Sequence, residues 1–231
     1  MKALAVIAAI AVAALAVMFL LPEETSQQDI TADVGAEEEL VSVSYSWIYS
    51  GRSYSLSADI PQQEYSEAKG ETRGTVTLGS YAGYIDSQSR TVKLVAEALA
   101  QHTDNAPAFI LSFVQSLDYL DDYETTGYQE YPKYPVETLM DKGGDCEDVA
   151  ALYASLMGAL GYDTALIYIP TTATTAHMMV GITGDFTGAG LYDDQHTKYF
   201  IAECTAKGWK IGDIPANIVF DPTECLILKN Q

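Results

Sequence analysis

Basic residues are scarce in this 231-residue chain: 12 lysines and arginines stand against 32 aspartates and glutamates, giving a net charge of −20 and a pI near 4.2. A chain of that sign repels phosphate backbones and anionic headgroups, which argues against nucleic acid or an anionic membrane surface as an electrostatic partner. A basic or neutral substrate is more compatible. Histidine is confined to His102, His177 and His196, and cysteine to Cys146, Cys204 and Cys225. No C-x-x-C or H-x-x-x-H pair occurs, so the usual spacing of a zinc site is missing. Three cysteines allow one pair and one free thiol.

What the chain does contain is an organising stretch, GGDCEDVAALYASLMGALGYDTALI, from Gly143 to Ile167. Val149, Leu152, Tyr153, Leu156, Met157 and Leu160 follow three-and-four spacing, which predicts a helix with one buried face that stops at Gly161. Cys146 then stands at the helix N-terminus. Unpaired backbone N–H groups and the positive end of the helix dipole gather there, favouring a thiolate and offering donors to an oxyanion. Asp145 is the expected N-cap and Asp148 falls in the first turn. With Glu147 they would raise the thiol pKa unless they face away.

Two residues further on supply the remaining parts of a nucleophilic set. His177 opens the strand-like run 176–182, and Glu203 lies in the strand-like run 198–204. A thiol attacks, an imidazole takes its proton, and a carboxylate orients the imidazole. Alternation puts His177, Met179 and Gly181 on one strand face, and Tyr199, Ile201 and Glu203 on one face of the other. A triad requires those faces to coincide. Cys146, His177 and Glu203 are also acceptable zinc ligands, but a thiol at a helix tip suits attack better, and no metal or cofactor is expected.

The GGDCED motif on its cysteine-first helix, the strand-opening His177 and the acid of YFIAECT resemble the transglutaminase-like superfamily of papain-like cysteine enzymes. The resemblance covers roughly residues 106–215, and GDCED with its helix is the most specific part. It implies an α+β domain with the nucleophile at a helix N-terminus packed on an antiparallel sheet. It also implies Cys146 as nucleophile, His177 as general base and Glu203 as orienting acid. One departure is that the family commonly has Asp where this chain has Glu203. The implied reaction is attack on an amide carbonyl to give an acyl-thioester. Water as second nucleophile makes a peptidase, isopeptidase or amidase, and an amine makes a transglutaminase. Hydrolysis is preferred, because excluding water is the more demanding condition. The competing class is a non-catalytic binding module on the same fold. Met140, not glutamine, stands six residues before Cys146, which leaves Tyr134 as a guess for the second oxyanion donor.

At the start of the chain, residues 3–21 form an unbroken run of 19 apolar residues. A helix of that length spans about 28 Å, most of a roughly 30 Å hydrocarbon core. Residues 1–22 therefore read as a transmembrane anchor, with a cleaved signal peptide as the rival because Ala14-Leu15-Ala16 has the small-x-small form. Lys2 is the nearby basic residue, which places the N-terminus inside and the body at the cell surface, or secreted if the segment is cleaved. Residues 23–39 read as an acidic, solvated tether holding the body clear of the bilayer. Residues 40–88 read as a β extension, with a hairpin at 41–60 whose Tyr45, Trp47, Tyr49 and Tyr54 either pack on the main domain, the preferred reading, or line a ligand groove. Within it a short strand is expected at 75–78.

Residues 89–231 read as the catalytic domain. Helices are expected at 89–101 and 106–119, and strands at 164–169, 176–182, 198–204 and near 225–230. The tyrosine-rich stretch 121–135 reads as a loop near Cys146, either a cleft wall or a packed connector. The glycine-rich stretch 184–197 reads as a flap or as an ordinary exposed loop. Asp118, Asp121, Asp122 and Glu124 read as a solvated helix end, since they do not match a Ca²⁺-loop spacing. Cys204 and Cys225 are available for a disulfide in an oxidising compartment, and otherwise read as core residues. The partners expected are a protein or peptide amide substrate and a membrane through the N-terminal helix.

Overall fold

The structure, a computed structural model, describes residues 28–32, 39–171 and 175–230. The apolar run 3–21 lies outside the described residues; among these, no helix is long and apolar enough to cross a membrane.

The serine-and-bulky alternation of the hairpin gives β2 (Leu40–Tyr49) and β3 (Arg52–Pro61), and a strand β1 (Gln28–Ala32) pairs with β3 in parallel. Five residues of the stretch read as a solvated tether are thus part of a sheet. Ser50 and Gly51 both have positive φ, 50° and 77°, the two-residue geometry that matches strand twist in a tight hairpin. The strand order is β1-β3-β2. Its apolar face, with Tyr45, Trp47, Tyr54 and Leu56, packs as the sequence suggests, through Tyr45–Phe113 and Trp47–Phe109 contacts at 5.2 and 5.5 Å between ring centroids.

Helix α1 (Gln62–Gly70) follows, and residues 75–77 form no strand; Thr77 instead caps a 3-10 turn, Leu78–Tyr84. Helices α2 (Arg90–Ala100) and α3 (Ala106–Val114) are capped by Ser89 and Asn105, each accepting a backbone N–H. Helix α3 ends five residues before the expected Tyr119, because Asp118–Tyr119 (β4) is drawn into parallel pairing with Gly143–Gly144 (β5). Between them lie α4 (Asp122–Thr126) and α5 (Pro135–Asp141). Helix α6 (Cys146–Ala159) starts at the cysteine, as its sequence predicts.

A five-stranded antiparallel sheet completes the mixed α+β arrangement, which fits a papain/transglutaminase-like fold. Its strands are β6 (Thr164–Pro170), β7 (Ala176–Ile182), β8 (Gly190–Tyr192), β9 (Lys198–Ala202) and β10 (Leu226–Leu228), in the order β10-β6-β7-β9-β8. The face carrying Leu166, Val180 and Ala202 joins the main core with α6, while Ile167, Met179 and Ile201 fill a smaller cluster. Helix α6 differs from the expected one-faced helix: every residue from Glu147 to Met157 is buried. A helix enclosed on all sides needs small residues as well as large ones, and Ala150, Ala151 and Ala154 let its neighbours approach.

Candidate active site

The turn that delivers Cys146 is fixed by close approach. A Cβ on Gly143 would overlap the Asp118 carbonyl, and one on Gly144 would strike the Asp148 side chain. That space is filled by hydrogen bonds. Asp148 accepts the Lys133 N–H at 2.7 Å and the Asp145 N–H at 3.3 Å, which caps α6. The Lys133 side chain is buried, and its Nζ donates to the Gly143 carbonyl at 3.1 Å and lies 3.3 Å from Asp141. A buried ammonium is tolerable only when so partnered.

His177 is the second residue of β7, and its Nε2 lies 2.7 Å from Oε2 of Glu203. Glu203 falls one residue past the end of β9, not inside it. Strand parity nonetheless continues, since Gly181 pairs with Ile201. The other Glu203 oxygen accepts the Thr205 N–H and hydroxyl, each at 2.6 Å. Burial pushes Glu203 up, but these bonds and the one to His177 outweigh it and hold the carboxyl below its ordinary range. Buried Gln115 donates to the Glu203 carbonyl at 2.8 Å and the Trp209 carbonyl at 3.0 Å, and accepts the Gly208 N–H at 3.1 Å. It ties the loop after β9 to the end of α3.

Cys146 and His177 line one cavity of about 350 Å³, with Tyr81, Glu130, Tyr168 and Met178. The thiol donates to Glu147 Oε2 at 3.2 Å, and among the described residues no hydrogen bond joins it to His177. Burial, followed by the charges of Glu147 and Asp145, pushes the thiol pKa well up, with a smaller opposing pull from the Met178 N–H. Tyr134, the guessed oxyanion donor, starts α5 and packs on Tyr84 at 5.0 Å; it does not line the cavity. Tyr81 and Tyr168 do. Tyr168 was accessible from hairpin register, since it pairs with Met178. The tyrosine-rich stretch contributes Glu130, while the glycine-rich stretch 184–197 contributes no lining residue and supplies edge strand β8.

A carboxylate cluster lies beside Cys146. Oxygens of Asp122, Asp145 and Asp148 fall within 4.8 Å of one another, as do those of Asp122, Glu130 and Glu147. Among the described residues, one oxygen each of Asp122 and Asp145 is buried without a hydrogen-bond partner. Burial and then the Asp145 charge push Asp122 up to about 6, and the same two causes push Glu147 up to about 10. Asp145 and Asp148 are raised too, chiefly by burial. The acidic patch read as a solvated helix end therefore divides: Asp118, Asp121 and Glu124 are exposed, and Asp122 turns inward. Long-range β4–β5 pairing makes the cluster, and no local spacing announces it. Among the described residues, no ligand cluster includes His177 or Glu203.

All three cysteines are free. Cys204 belongs to the main core and Cys225 packs on the smaller cluster, so they serve as packing residues.

No protein-family profile matches the chain, and no curated protein does. Several solved structures are similar in part, three of them as follows. LapG of Legionella pneumophila, in calcium-bound form, is 23% identical over 62% of this chain and 70% of that chain, with a TM-score of 0.33. A Cytophaga hutchinsonii protein described as a candidate cysteine protease is 15% identical over 84% of this chain and 74% of that chain, TM-score 0.39. A transglutaminase is 10% identical over 71% of this chain and 44% of that chain, TM-score 0.35. The arrangement, a cysteine-first helix set against an antiparallel sheet with His177 near the start of β7 and Glu203 just past β9, fits a transglutaminase-like fold.

Proposed function

We propose that this chain is a cysteine-dependent acyl hydrolase, a peptidase, isopeptidase or amidase acting on protein or peptide amides. The observation that carries the reading is the 2.7 Å His177–Glu203 pair opening on the cavity that holds Cys146. Glu203 occupies Nε2, which leaves Nδ1 as the base. Rotation of the thiol away from Glu147 would hand its proton to Nδ1, and the sulfur would attack the amide carbon. The Cys146 N–H, at the first position of α6 where a helix supplies no internal acceptor, suits the oxyanion. The C–N bond breaks as the imidazolium protonates the leaving amine, and water then attacks the thioester to release a carboxylic acid. An amine in place of water would make the product a new amide. An N-terminal membrane anchor at residues 3–21 would put this body at the cell surface. The test is mass-spectrometric trapping of an acyl-enzyme on Cys146, absent in Cys146→Ala and much reduced in His177→Ala.

The thiol's bond to Glu147 is the observation that favours a non-catalytic binding module. A cation site accounts for it otherwise. Asp122, Asp145 and Asp148 offer one all-oxygen donor set, with two orphaned oxygens among the described residues, and Asp122, Glu130 and Glu147 offer an adjoining one, which fits a hard divalent cation such as calcium. When bound, the ion would supply positive charge that offsets the carboxylate repulsion beside the thiol. Glu147 is both a candidate ligand and the thiol's acceptor, so its two roles compete. Calorimetric titration of the full chain with calcium chloride, repeated on Asp122→Asn, tests this; no heat of binding would remove the ion from the account.

A further inference from the structure

A second cavity, of about 500 Å³, lies where the end of β2 meets α3 and the loop 207–210, and it shares no lining residue with the Cys146 cavity. Its features are those of a peptide site. Strand β2 is the edge of its sheet among the described residues, so every second residue turns an N–H and a C=O away from β3 toward open space. Ile48, on that edge, is 71% exposed. Opposite it stand Trp209 and Leu111, an apolar wall, and Lys207 and Lys210. In a chain with 32 acids and 12 bases, no ion pair among the described residues uses either lysine.

We propose that the β2 edge and the Lys207–Lys210 loop form a second binding site that takes an extended acidic peptide segment by strand addition. The backbone of the segment continues the sheet beyond β2, an apolar side chain enters the cavity against Trp209, and acidic side chains meet the two ammonium groups. Charge selects the occupant: a basic segment is repelled by the lysines, and a neutral one leaves them unanswered. The site acts independently of the reaction at Cys146.

Both tryptophans of the chain, Trp47 and Trp209, line this cavity, so intrinsic fluorescence reports it directly. The full chain carrying Cys146→Ala, which cannot cleave a probe, is titrated with Ac-Glu-Val-Glu-Val-Glu-NH2. The expected result is a saturable emission change. Binding should weaken about tenfold or more for Ac-Gln-Val-Gln-Val-Gln-NH2, for the acidic peptide N-methylated at alternate amides, and for protein carrying Lys207→Met and Lys210→Met. Lys207→Arg with Lys210→Arg should retain binding. No saturable change with the acidic peptide, or equal binding of the glutamine or N-methylated peptide, overturns the proposal. These outcomes are separate from acyl-enzyme trapping, so either inference can fail alone.

Discussion

The side chain of Glu203, one residue beyond β9, stands 2.7 Å from Nε2 of His177, near the start of β7. Its remaining oxygen is filled by Thr205, so the carboxylate has a single orientation. Glu203→Gln keeps the shape but removes the charge that stabilises an imidazolium. Acyl-enzyme formation, followed as a single turnover, should fall by about 10²–10⁴-fold, while Glu203→Asp, shorter by one methylene, should lose less.

The carboxylate cluster makes a pH prediction whose sign follows from Asp122. Its folded pKa, about 6, lies above the ordinary value near 3.9, so folding favours the protonated form. That contribution is fully present below the ordinary value and is lost as pH rises through about 6. In chelator, the melting temperature of the wild-type chain should therefore fall relative to Asp122→Asn between about pH 4 and 7. The gap should be on the order of 1 kcal/mol, or about 2–4 °C. Calcium should raise the wild type and leave Asp122→Asn unmoved.

In α5, Glu137 is fully buried and pairs with Arg73. Leaving one charge alone there costs about 3–5 kcal/mol, so Glu137→Ala should sharply lower the urea midpoint. Arg73→Met combined with Glu137→Ala should cost less than the sum of the single changes, and a double-mutant cycle measures the difference.

Two glycine substitutions should separate. Gly144→Ala places a methyl group on the Asp148 side chain, and overpacking of this kind costs about 1–3 kcal/mol. Gly70→Ala meets nothing within 4 Å and should stay within about 0.5 kcal/mol of wild type. Equilibrium unfolding of both variants decides it.

Local chemistry wrote the parts that could be read in advance. Cys146 begins α6 because Asp145 and Asp148 form its capping box, and the hairpin and β7 follow from alternation and a two-residue turn. What escaped depends on contacts far apart in sequence. Helix α5 has seven residues and carries Glu137, whose partner Arg73 lies 64 positions earlier. The acidic cluster likewise needs Asp122 and Asp145 joined by β4–β5 pairing. Strand β1 is short, and it is placed by parallel pairing with β3 and by one core residue, Ile30.

That strand also sets a leash. Six residues separate Leu21, the last of the apolar run, from Gln28, the first of β1. Even fully stretched, such a link reaches about 25 Å. A body rooted by residues 3–21 could not range freely over a cell surface or sample the bulk medium. The start of β1 in such a body would stay within about 25 Å of the end of the apolar run.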